Sequence, residues 1–332
     1  MKLARKIRST ITLAGFFMAL PVLFSPVSAA EDLKSLRGKP FSDPSHVQKM
    51  PPEWGKKPVK YDPAIGDADL VISLNQQFSH FLEPLINKYA RKNNLKIVVK
   101  QGTCGISAGM ASGKKGDIVG FCCPPANTDR LPGLSFHTIG IHPVSILVHP
   151  DNPVDNLSLD QVRMIFKGDI LNWSKVGGKD KSIYAVGRLH CKKRPADWRQ
   201  ILDNEDLFAP ELRTVEAIED MFSLVSSNPD SIGHEVMWMS SENRDKVKTL
   251  RINSIRPQQL DHVASGRYPF YRTLNLTTWE VKHMKKPQAG KLIDYLISEV
   301  EKISKDADIV PASRLRKAGW KFRDNELVGE PR

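Results

Sequence analysis

Four cysteines stand among residues that could put a thiol to chemical use. Cys104 lies in Gly102-Thr103-Cys104-Gly105, Cys122 and Cys123 run into Pro124-Pro125, and Cys191 sits between His190 and Lys192-Lys193. Thiolates bind Cu(I), Zn(II) and similar soft ions strongly. A pyramidal arsenite-like centre would take three of them. His190 could add a nitrogen ligand, and its charge, with those of Arg188, Lys192 and Lys193, would favour the thiolate form. Cys104, Cys122, Cys123, His190 and Cys191 are therefore the candidate metal-binding set. The plain alternative is structural disulfides: an even cysteine count in an oxidising compartment invites pairing, and Cys104 with Cys122 or Cys123 would staple neighbouring loops. No Cys-x-x-Cys, Cys-x-x-Cys-His or His-Glu-x-x-His occurs. That weakens a thioredoxin-like reading and excludes covalently attached haem.

These residues need elements to bring them together. Leu70-Val71-Ile72 reads as a buried strand, and Phe78, Phe81, Leu82, Leu85, Ile86 and Tyr89 follow at helical spacing. Ile97-Val98-Val99 is the next strand and Asp117 to Phe121 the third, with a short helix between them. Such alternation predicts an α/β fold with a parallel sheet, whose sites lie at the carboxyl ends of the strands. Three segments fall there: Asn75 to Ser79, Gly102 to Ser107, and Cys122 to Pro125. Asn75, Gln76, Thr103 and Gly105 are accordingly candidate donors to a ligand, Asn75 and Gln76 beside a helix N-terminus that could hold an anion. A second unit starts near Pro150. Ser158 and Gln161 form a predicted capping box. Ile183 to Val186 is a strand leading into Arg188 and Cys191, and a helix is predicted from about Pro195. Leu292, Ile293, Leu296, Ile297, Val300 and Ile303 mark a long amphipathic helix.

The chain has 332 residues, with 40% hydrophobic and 26% charged, a composition that excludes disordered, fibrous and coiled-coil classes. Residues 1–30 read as a cleaved secretory signal peptide: Lys2, Arg5, Lys6 and Arg8 precede an apolar run, and small residues at Val27 to Ala30 offer a cleavage site. The formal net charge of +12 falls to +8 once the four Lys and Arg of that segment, which has no Asp or Glu, are set aside. This balance suits an anionic ligand or surface, but it is not concentrated in a tract of the kind that binds nucleic acid. Residues 31–66 read as an extended N-terminal arm.

Three further segments carry a family resemblance. Leu157 to Gly178 (LSLDQVRMIFKGDILNWSKVGG) resembles the start of the second lobe in the phosphate-binding proteins of ABC transporters. Pro229-Asp230-Ser231-Ile232-Gly233 resembles their P-x-x-I-G-Y segment, with His234 in the Tyr place, and Ser265 to Arg272 (SGRYPFYR) their S-G-x-Y-P-x-x-R segment. The resemblance spans about residues 68–312. It implies a two-lobed type II periplasmic-binding-protein fold, each lobe a mixed, mostly parallel sheet flanked by helices and joined by two crossover hinge segments. Lobe one would hold residues 67–148 and 258–332, and lobe two residues 149–257. Departures fall at the ligand loops. Cys122-Cys123-Pro124-Pro125 replaces a polar pair, and Leu189 to Lys193 replaces the Ser-Gly-Thr that follows the lobe-two arginine, here Arg188. Cys104 also resembles the first-lobe cysteine of arsenite-sensing binding proteins.

The implied function is a periplasmic solute-binding protein, non-enzymatic by its lack of nucleophile–base motifs, that captures a small oxyanion or a thiophilic species, arsenite-like or a soft metal. It would act as a monomer and present this small inorganic ligand to ABC transporter membrane subunits or a histidine-kinase sensor. Competing readings are a periplasmic thiol redox or metal-delivery factor, and a phosphate-type binder with purely structural disulfides.

Overall fold

The computed structural model describes residues 35–331. The expected signal peptide and the first residues of the arm lie outside them. Strand β1 (Leu70–Asn75) runs into helix α1 (Gln76–Asn93), β2 (Ile97–Gly102) into α2 (Cys104–Ser112), and β3 (Ile118–Phe121) follows. β4 (Leu134–Val148) is a 15-residue strand, followed by α3 (Leu159–Lys167) and β5 (Tyr184–Gly187). Then come β6 (Arg213–Thr214), α4 (Ile218–Ser227), β7 (Ser231–Val236), β8 (Tyr271–Trp279) and α5 (Pro287–Ile303). The alternation and the long C-terminal amphipathic helix were legible in the sequence. The helix expected from Pro195 is instead a single 3-10 turn over Asp197–Gln200. Its Asp197, Trp198 and Gln200 are buried, and Arg199 alone is partly exposed.

The strands form one continuous sheet in the order β2-β1-β3-β8-β4-β7-β5-β6, with two short strands, Lys248–Thr249 and Val310–Pro311, added on β4. Both wings are parallel: β1 with β2 and β3 on one side, β5 with β6 and β7 on the other. The middle is antiparallel, where β8 and β4 pair along most of their length. The crossovers between the wings thus run as long sheet strands. β1 and β3 are buried throughout, as strands covered by helices on both faces must be.

Caps fix where the helices start. The Asn75 side chain accepts from Gln77 N at 3.0 Å, and Thr103 Oγ1 accepts from Ile106 N at 3.3 Å. The Ser158–Gln161 capping box forms as expected, with reciprocal bonds of 3.0 and 2.8 Å. Residues 35–66 cross the body with little regular structure. Gly38 N donates to Arg199 O and Gln48 N to Arg130 O, both at 2.8 Å, and Arg37 donates to the Glu330 carboxylate.

At Gly120 in β3 the ring of Phe78 on α1 lies against the sheet: a methyl group there would lie 2.6 Å from it. Gly120→Ala is expected to cost about 1–3 kcal/mol through overpacking. Urea unfolding should show a lower midpoint at unchanged slope, and an unmoved midpoint would contradict this packing.

Candidate functional site

The parallel pairing of β2, β1 and β3 sets three strand ends side by side, with Asn75 in register with Gly102. Cys104 opens α2 just beyond β2, and Cys122 and Cys123 leave the end of β3. All three are 0 to 1% exposed. Cys191 arrives from the opposite wing, on the loop after β5, with φ of 55°. It is partly exposed. The four Sγ atoms nonetheless lie within 4.8 Å of one another. Cys104 and Cys122 Sγ are 3.3 Å apart, and Cys122 and Cys123 Sγ 4.0 Å.

Each loop is held in place by partners far away in the chain. Arg194 Nε and Nη2 donate to the two carboxylate oxygens of Asp129 at 2.8 and 2.6 Å, fastening the Cys191 loop to the segment beyond Cys123. Trp198 Nε1 donates to His190 O at 2.6 Å. Asn275 Nδ2, on β8, donates to Cys123 O at 3.1 Å. Cys104 Sγ accepts from Asn75 Nδ2 at 3.4 Å and from Cys122 N at 3.3 Å.

The disulfides that the sequence offered as an alternative are not formed: all four cysteines are free thiols. Hydrogen bonds, first from Cys104, hold Cys122 well below the usual thiol range. Those to Cys122 and to Cys104, respectively, push Cys104 and Cys123 up. Cys191 is lowered to about 7, through its bond with Cys104 first and also through Cys123 and the His190 charge.

Behind the sulfurs lies a buried ionic network. Arg188 donates to Glu235 Oε2 at 3.0 and 2.8 Å, and Arg272 Nη2 donates to Asp197 Oδ2 at 3.0 Å. Arg272 also lies 3.4 Å from Glu235, and His234 Nδ1 3.9 Å from Asp197. With its carboxamide oxygen turned toward them, Gln77 accepts from Arg272 at 2.9 Å and Arg188 at 3.1 Å. Burial opposes ionisation of Asp197, but Arg272 first, then His190 and His234, hold its carboxyl well below the usual range.

Of the sequence candidates, Cys104, Cys122, Cys123 and Cys191 come together, with Asn75 against Cys104. Arg188 is engaged by Glu235 rather than open to an anion. His190 stands beside the cluster: its Nδ1 is 3.0 Å from Arg188 O and its Nε2 3.6 Å from Asp197. Burial and Arg188 oppose its protonation, but Cys122 and Asp197 outweigh them, and its pKa is raised. Gln76, Thr103 and Gly105 are exposed, and Thr103 serves as the α2 cap. Sequence reasoning missed Asp129, Arg194, Asp197 and Glu235, which carry no local signal. Arg272 closes the SGRYPFYR segment, and that position was the available clue.

Residues 62–300 match a family model described as a PBP superfamily domain. A "Phosphate-binding protein PstS" of Bacillus subtilis (strain 168) is 28% identical over 183 residues, covering 54% of this chain and 58% of that protein. A "Phosphate-binding protein PstS" of Borreliella burgdorferi is 24% identical over 140 residues, covering 40% of this chain and 50% of its own length. The matched stretches thus span only about half of these curated relatives. An ABC-type phosphate transport receptor from Vibrio cholerae superposes with TM-score 0.59 at 21% identity, and a putative phosphate ABC transporter substrate-binding protein with bound phosphate from Clostridium perfringens with 0.63 at 18%. Each superposition covers 73% of this chain and 99% of the other, and they establish a shared fold.

Two outcomes follow from the site. Alkylation of Cys191 by iodoacetamide, followed by peptide mass spectrometry, should accelerate as pH rises through about 7. A midpoint at the ordinary thiol value of about 8.5 would contradict the lowered value at Cys191. Glu235→Gln leaves Arg188 and Arg272 undercompensated in a buried place, and denaturant unfolding should show a loss of about 3–5 kcal/mol.

Proposed function

The chain belongs to the PBP superfamily, and on that premise we propose that it is a periplasmic solute-binding protein that captures a thiophilic ion on its four clustered thiols. The observation that carries this reading is the convergence of all four Sγ atoms within 4.8 Å. The two wings of the sheet serve as the lobes, residues 67–148 with 258–332 and residues 149–257. Cys104, Cys122 and Cys123 belong to the first and Cys191 to the second. A ligand bonded to thiols of both lobes exists only in the closed form, so binding stabilises closure. The closed form is what a transporter's membrane subunits or a sensor kinase would recognise. No chemistry is done on the ligand.

The ionic network argues against a phosphate-like cargo. An oxyanion needs guanidinium and amide donors free to face it. Here Arg188 and Arg272 are committed to Glu235 and Asp197, two buried carboxylates that would repel an anion. The partly exposed Cys191, with its lowered pKa, favours one competing reading, a thiol redox factor.

Titration calorimetry on the reduced mature protein separates the readings. Zinc or arsenite is expected to bind one to one and inorganic phosphate not at all. The double variant Cys104→Ser/Cys191→Ser should lose more than the roughly 100-fold in affinity that removal of an outer-shell partner costs. Phosphate binding that survives in this variant would overturn the proposal. A disulfide among the four that cycles at a potential well above structural bonds would overturn it in favour of redox exchange.

A further inference from the structure

Resting on that reading, we infer that the site takes one tetrahedral dication of the zinc–cadmium class, ligated by all four thiolates, rather than a three-coordinate pyramidal ion. The first ground is spacing. A tetrahedral ion with metal–sulfur bonds of about 2.3 Å needs its sulfurs about 3.8 Å apart. The observed separations of 3.3 and 4.0 Å bracket that edge, and no pair exceeds 4.8 Å. This is too tight for an iron–sulfur cluster, whose cysteines surround a core of several atoms.

The second ground is that no sulfur is set apart. A pyramidal ion would use three and leave the fourth buried against it without a bond. Yet the outlying residue, Cys191, is delivered by its own fastenings: the doubled Arg194–Asp129 bond, and Trp198 Nε1 on His190 O. Its backbone takes a left-handed φ of 55°, which costs a residue with a Cβ and holds only where the surroundings enforce it.

The third ground is charge. Four thiolates on a dication carry a net dianion; on a monocation they carry one negative charge more. Cys104 stands at the N-terminus of the nine-residue α2, where the helix dipole favours an anion, and its sulfur already accepts two N–H groups. Such N–H···S bonds are the outer-shell support that metal thiolates use. An all-sulfur tetrahedral set selects zinc-like ions over those preferring nitrogen or oxygen.

X-ray absorption on the zinc-loaded mature protein tests this, with thiol counting by N-ethylmaleimide alongside. Four sulfurs at about 2.3 Å and no lighter scatterer are expected, with all four thiols protected. A Cys191→Ser variant that keeps its circular dichroism should show three sulfurs and one oxygen. Three sulfurs and an oxygen or nitrogen in the unaltered protein would overturn the inference. So would arsenite binding that leaves one thiol reactive while zinc does not bind, although the thiophile reading would then stand. Failure of both zinc and arsenite to bind would overturn inference and reading together.

Discussion

The doubled bond from Arg194 to Asp129 is the fastening on which the thiol site depends. Three of the cysteines share one wing of the sheet and would lie near each other through strand pairing alone. The fourth comes from the far wing, and only the closure of its loop onto the segment after Cys123 brings it within bonding range. Both side chains are almost wholly buried, at 9 and 2% exposure. In that setting a bidentate guanidinium–carboxylate pair is strong and directional, and losing one partner strands the other. Trp198 and Gln200 reinforce the closure from behind, the latter by exchanging hydrogen bonds with the Tyr271 backbone on the crossover strand β8.

The fold is shared with phosphate transport receptors, and the place between the wings here holds four thiols. The two arginines behind the thiols, Arg188 and Arg272, are matched internally with the carboxylates of Glu235 and Asp197. Two arginines and two acids within hydrogen-bonding reach leave little net charge to attract a free anion. The same network gives the sulfurs a rigid, polar backing that would hold a set of ligands in one geometry.

Much of this was legible in the sequence, for physical reasons that also mark the limit. Strand–helix alternation places Asn75, Cys104 and Cys122 at the carboxyl ends of parallel strands, because only one handed connection lets each helix return onto the sheet. Cys191 followed from the resemblance of its segment to a second-lobe loop. The ionic partners were not legible: Asp129 meets Arg194 across 65 residues, and Asp197 meets Arg272 across 75. No local period encodes such pairs. The cysteine count suggested disulfides because parity carries no distances. Trp198, Ile201 and Leu202 sit at helical spacing, which predicts a helix where the chain makes only a 3-10 turn, although all three are buried.

The central claim is that sulfurs from opposite wings share one centre. Anomalous diffraction from crystals of the cadmium-loaded mature protein tests it most directly. The account predicts a single strong peak in contact with the sulfurs of Cys104, Cys122, Cys123 and Cys191. A peak that touches only cysteines of one wing, with Cys191 turned to solvent, would contradict it.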